Sequence, residues 1–167
     1  MNTEIKFGLI LGFGICAYTL LAHLLGFYTI NIRMGKYADI AIMLLPMIVL
    51  FLAIREKRIR LGSLSLLQGI KTGLLVALIS FPISTAGLWI YHHFINPNWL
   101  EFILAYEREL MTQSGTGAAE ASAKLDAIRA GNSNFAQIIG GFIGTLVLAL
   151  ILSLIFSLIL RKKRVSA

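Results

Sequence analysis

The strongest constraint in this sequence is the length of its uncharged runs. Residues 7–32, 72–100 and 130–160 contain no Asp, Glu, Lys or Arg. A bilayer hydrocarbon core of about 30 Å needs roughly 20 apolar residues as a helix, and each run exceeds that. A fourth run, 37–54, is shorter. It opens near Asp39, contains Pro46, and is flanked by Tyr37 and Arg55, residue types that anchor a helix at an interface. Only 14% of the 167 residues are charged, against about a quarter in soluble domains. Disordered, collagen-like, coiled-coil and disulfide-scaffold classes are excluded. The pattern predicts an all-α integral membrane protein. Its architecture is a four-helix bundle with a short extracytoplasmic helical hairpin between helices three and four. The spans are expected at about 7–30, 37–54, 69–95 and 135–160, with the loop at 96–134. The first run is too long for a signal-peptide core of about 7–15 residues, so it is read as a retained span.

Four crossings place both ends of the chain on one side. That side then holds Lys6, the basic stretch 55–71 and the tail Arg161, Lys162, Lys163 and Arg164, ten of the fifteen basic residues. Asp39, Glu101, Glu107, Glu109, Glu120 and Asp126, six of the eight acidic residues, fall opposite. The excess of Lys and Arg on inner loops predicts both termini in the cytoplasm and a cell inner membrane location. The net charge of +7 therefore reports topology and implies no nucleic-acid partner. The bilayer itself is the implied partner, and Arg161–Arg164 are candidate contacts for anionic lipid.

Helices in lipid associate by close packing of small residues. The first span carries Gly8, Gly12, Cys16, Thr19, His23 and Gly26 at steps of three and four, which keeps them on one face. The third carries Gly69, Gly73, Ala77, Ser80, Ser84 and Gly87 at the same steps, offset by 61 residues. The fourth adds Gly140 and Gly144, with a neighbouring ridge of Gly141, Thr145, Ala149 and Ser153. These are expected to be interhelix seams; a duplicated two-helix unit is the sharper alternative. Cys16 is the only cysteine, so no intrachain disulfide forms. Pro46 and Pro82 fall mid-span and predict kinks.

Between the third and fourth spans, Asn96-Pro97 reads as a helix start with Asn96 as cap. Trp99, Ile103, Tyr106 and Leu110 then recur at helical spacing, predicting an amphipathic helix. The stretch 114–117, Ser-Gly-Thr-Gly, breaks it, and an alanine-rich helical stretch follows from Ala118. There is too little apolar surface here for an independent core.

No P-loop, nucleophile elbow, zinc helix or cysteine cluster is present, so no metal site and no cofactor is implied. The ionisable residues near the spans are His23, Asp39, His92 and His93. Such residues are functional suspects, and imidazoles ligate metals or carry protons. The competing reading of His92 and His93 is an aromatic interface belt, since they sit in Trp89-Ile90-Tyr91-His92-His93-Phe94. His23 lies on the small-residue face, where a hydrogen-bonded packing role competes with a ligand role.

Several short elements carry a family likeness. They are Lys6-Phe7-Gly8 opening the first span, Leu61-Gly62 in the basic loop, Gln68-Gly69-Ile70-Lys71-Thr72-Gly73 entering the third, and Phe94-Ile95-Asn96-Pro97 closing it. On these the chain resembles a bacterial integral membrane family catalogued as domain of unknown function 4199. The resemblance implies a four-helix membrane protein and brings no activity, cofactor or site. The sequence thus favours a non-enzymatic membrane protein that binds a partner or organises the membrane, alone or as a homo-oligomer. A small proton- or metal-linked carrier, acting as an oligomer through His23, Asp39, His92 and His93, is the alternative. An enzyme lacks any facing acid and base.

Overall fold

The computed structural model describes residues 2–160. Among them every regular element is helical: α1 Thr3–Leu24, α2 Ile32–Ala41, α3 Leu44–Leu61, α4 Leu66–Ile90, α5 Trp99–Gln113, α6 Ala118–Gly131 and α7 Asn134–Leu160. A π turn, Tyr91–Ile95, continues α4. Four segments are long and apolar enough to cross a membrane: Thr3–Leu24, Ile32–Leu61, Leu66–Ile95 and Asn134–Leu160. This is consistent with a multi-pass membrane protein.

The first helix stops at Leu24, short of the expected 30, because the chain is turned at Gly26. This glycine has φ +75°, a left-handed conformation only glycine adopts without strain. The Gly26 and Phe27 amides cap the carbonyls of His23 and Ala22 at 2.8 and 3.0 Å. The second segment is two helices and not one, broken at Ile42 and Met43. Pro46 is therefore the third residue of α3 and not a mid-span kink. The first turn of a helix has no intrahelical acceptor for that amide, so its loss costs nothing there. Pro82 lies inside the continuous helix α4. The hydroxyls of Ser80 and Ser84 donate to the carbonyls of Ala77, Ser80 and Phe81 at 3.0–3.1 Å. A capping box starts α4: Gln68 N–H donates to Ser65 Oγ, and Ser65 N–H to the Gln68 side chain.

Helix α4 packs against α1 on one side and α7 on another, while α3 touches α1, α4 and α7. A core of Phe7, Leu11, Val49, Leu50, Ala53, Val76, Ala77, Ala149 and Leu152 fills the space between them. A smaller cluster of Ile54, Leu64 and Leu160 closes the end near the α3–α4 turn. We call this the basic end and the opposite one, which carries α5 and α6, the hairpin end.

The small residues of α1 and α4 lie in these contacts. A side chain at Gly8 or Gly12 would run into Ile79 or Ile83 of α4. One at Gly69 or Gly73 would occupy the place of the Ser157 or Ser153 hydroxyl of α7, and one at Gly87 that of Cys16 Sγ. Ala77, Ser80 and Ser84 are buried beside them. The α1 pair thus faces α4, while the α4 pair faces α7. Gly140 and Gly144 were expected in a seam and are not in one here. Both are exposed, with nothing within 4 Å of a would-be side chain. Contact of α7 with α4 instead runs through Ser153 and Ser157, lower on the helix.

Candidate functional site

At the hairpin end the helices part. The chain between α1 and α2, the helix α2, the π turn and α5 enclose a cavity of about 480 Å³. Its floor is Ile15, which packs on the main core. Phe27, Tyr28, Ile32, Leu88, Tyr91, Trp99, Ile103 and Tyr106 make most of its wall. Its polar groups are Thr19, Lys36, Asp39, His92, Glu107 and Asn132. The volume lies within the range of small-molecule sites, roughly 300–1,000 Å³.

Two hydrogen-bonded groups hold the wall. In the first, Asp39 Oδ1 accepts the Tyr28 hydroxyl at 2.8 Å. In the second, the Tyr91 hydroxyl stands 3.0 Å from His23 Nδ1 and accepts the Asn96 side-chain amide at 3.1 Å. That amide also reaches the Tyr28 carbonyl, at 3.3 Å. When the Tyr91 proton is donated to His23 Nδ1, the imidazole carries its own proton on Nε2. Tyr91 and Asn96 are both buried, at 4% exposure each. The π turn sets their positions. It ends on a bond from the Asn96 amide to the Tyr91 carbonyl at 2.8 Å, which brings residues 91 and 96 to one side.

Asp39 and His92 thus line one cavity, while His23 does not line it and meets its wall through Tyr91. His92 stacks on Trp99, with ring centroids 4.1 Å apart. His93 is excluded: it is exposed, bonds the Trp89 carbonyl at 2.9 Å and stacks on the Trp89 ring. Among the described residues no three His, Cys, Asp or Glu side chains converge as a metal site requires. Lys36 of α2 pairs with Glu107 of α5 at 2.7 Å and lies 4.9 Å from the Tyr106 ring centroid. Arg161, Lys162, Lys163 and Arg164 lie outside the described residues.

Sequence reasoning missed Asn96 as a cavity residue. Its expected role was the cap of α5. The helix instead begins at Trp99 with Asn98 before it, leaving the Asn96 side chain to join Tyr28 and Tyr91. The amphipathic stripe of α5 is also rotated from expectation: Trp99, Ile103 and Tyr106 line the cavity, but Leu104 and Met111 are the buried residues and Leu110 is exposed. No residue of α6 is buried.

The basic end holds a second polar cluster. Glu4 Oε1 accepts Lys57 at 2.8 Å and the Thr72 hydroxyl at 3.4 Å. Glu56 accepts Thr3 at 3.1 Å, Lys6 at 2.6 Å and Arg60 at 3.2 Å. Thr3, Glu4 and Thr72 are buried. The signal was present in the sequence: Glu4 and Glu56 are the only acidic residues expected on the basic side. Every carboxylate here meets a cation, and the cluster ties the start of α1 to the end of α3 and the start of α4.

Residues 6–162 match the model of a family described as Protein of unknown function (DUF4199), and the chain belongs to that family. No curated protein and no solved structure matches it.

Proposed function

We propose that this DUF4199 protein is a non-enzymatic inner-membrane protein that binds a small ligand in the cavity at the hairpin end. The four long helices form the membrane bundle, both termini are cytoplasmic, and α5 and α6 stand outside as a short hairpin. The distribution of Lys and Arg supports that orientation. One observation carries the binding reading: the cavity sets polar groups in a mostly apolar wall and borders the packed core through Ile15. The core that Ile15 packs against includes Leu11, Leu50, Ala53, Val76 and Ala77, none more than 3% exposed. A space that ends in a packed core suits a ligand that stays on one side. A carrier needs a continuous path, so the proton- or metal-linked reading is disfavoured.

Purification of the full chain from native membranes in a non-ionic detergent, with mass spectrometry of what comes with it, tests this. The wild-type protein is expected to retain a small molecule or lipid that Ile103→Trp, which fills the cavity, loses. Equal retention by both places the ligand elsewhere. Proton or metal flux in proteoliposomes that His23→Gln abolishes would establish the carrier reading instead. Reporter fusions at Gly115 and after Ala167 should report opposite compartments.

A further inference from the structure

We propose that the cavity is built for an alkylammonium group, with Asp39 as its counter-charge. This rests on the cavity-binding reading above and names the ligand class. Three charged side chains line the cavity: Lys36, Asp39 and Glu107. Lys36 and Glu107 neutralise each other at 2.7 Å. Asp39 has a hydroxyl partner, Tyr28, and no cationic partner among the described residues. Asp39 is exposed, and when it is ionised the site presents one negative charge with no cationic partner among the described residues.

Beside Tyr28, the cavity wall is largely aromatic, with His92 stacked on one face of Trp99. Phe27, Tyr28, Tyr91 and Trp99 all contribute to it. The negative faces of such rings attract organic cations, most strongly where water is excluded. The same cavity already holds one ammonium in this relation, Lys36 near the Tyr106 ring. A methylated ammonium presents apolar surface and positive charge together, matching a wall that is mostly apolar with one carboxylate. An inorganic cation would require several converging oxygen or nitrogen ligands, and among the described residues no three His, Cys, Asp or Glu side chains converge. An anion would face Asp39. The ammonium can come from a phospholipid headgroup or from a soluble amine; the chemistry at Asp39 is shared.

The reporter is Trp99, which becomes the only tryptophan in Trp89→Phe. The full-length Trp89→Phe protein is placed in phosphatidylglycerol nanodiscs and titrated with choline and with 3,3-dimethylbutanol, its uncharged isostere. Choline should change Trp99 emission saturably, and the isostere should bind at least about tenfold more weakly. Adding Asp39→Asn, which keeps an acceptor for Tyr28, should weaken choline by about tenfold, while Asp39→Glu retains most of the affinity. Repeating the titration in phosphatidylcholine nanodiscs separates the sources. A Trp99 signal already shifted, with no further response to choline, assigns the site to the lipid headgroup. An unchanged choline response assigns it to a soluble amine. The proposal is overturned if Asp39→Asn leaves choline binding intact. It is equally overturned if no saturable response occurs and Trp99 emission is the same in both discs. Equal binding of choline and its isostere removes the charge argument while the cavity-binding reading stands.

Discussion

The two ends of the helix assembly are made by opposite means. At the basic end small residues let the backbones approach, and ion pairs fasten the helix termini. Gly69 and Gly73 meet Ser157 and Ser153 with no space for a side chain between them, and Glu4 and Glu56 each hold a lysine. At the hairpin end the side chains are large and aromatic, the second segment is broken, and the helices stand apart around a cavity. Close packing in a membrane protein depends on small side chains, because lipid offers no hydrophobic force to press helices together. Where a chain spends aromatics and bends, it gains enclosed volume and gives up contact. The end that holds the molecule together is thus different from the end that has room to bind.

Substitutions can break this contrast. The largest effect is expected at the α4–α7 seam. Gly73→Leu forces α7 away from α4 and should cost about 3 kcal/mol, at the upper end of overpacking penalties. Gly140→Leu, the same change where a side chain meets nothing within 4 Å, should leave stability unaltered. Unfolding in mixed micelles compares the two, and equal losses would show that the seam is not where the fold is held. Next comes Glu4→Gln, which leaves Lys57 without its charge partner in a mostly buried setting. A loss of about 2 kcal/mol is expected, in the range for hydrogen bonds to charged groups.

The hairpin end should respond less. Asn96→Ala removes the donor to Tyr91 and should cost about 1 kcal/mol, a typical net hydrogen-bond contribution. Its sharper signature is faster hydrogen exchange across 91–96 with the α4–α7 contact unaffected. Smallest of all, Lys36→Ala breaks a pair whose lysine is half exposed, and a change of about 0.5 kcal/mol or less is expected. A loss above that of Glu4→Gln would invert the contrast between the ends.

Some of this was legible in the residues. Long uncharged runs specify helices that can cross a membrane, and glycines at steps of four specify smooth faces. A smooth face does not name its partner, however. Gly69-x-x-x-Gly73 and Gly140-x-x-x-Gly144 carry the same signal, yet only the first is covered, because the covering is decided by where α7 settles as a whole. The break at Ile42 and Met43 was hidden for a related reason. Hydropathy is blind to direction, and residues 40–45 are uniformly apolar whether the helix continues or bends. Asn96 misled through its neighbour: before a proline it has the signature of a cap, whereas the π turn carries its side chain back toward Tyr91. Histidines and Asp39 stood out by being ionisable, but that Asp39 and His92 line one cavity, with His23 bonded to Tyr91 of its wall, follows from the turn at Gly26 and the π turn at 91–95, which no periodicity shows.

The break in the second segment bears on the surrounding lipid. Between Asp39 and Arg55 stand fifteen uncharged residues, which cover about 22 Å at 1.5 Å per helical residue. That is shorter than a hydrocarbon layer of about 30 Å, so a crossing by Ile32–Leu61 would set charged flanks at the layer's margins. A short apolar stretch of this kind is ordinarily accommodated by local thinning of the bilayer or by flanking side chains reaching the interface. On this flank Asp39 borders the cavity, so such a crossing would set the cavity's mouth close to the membrane surface.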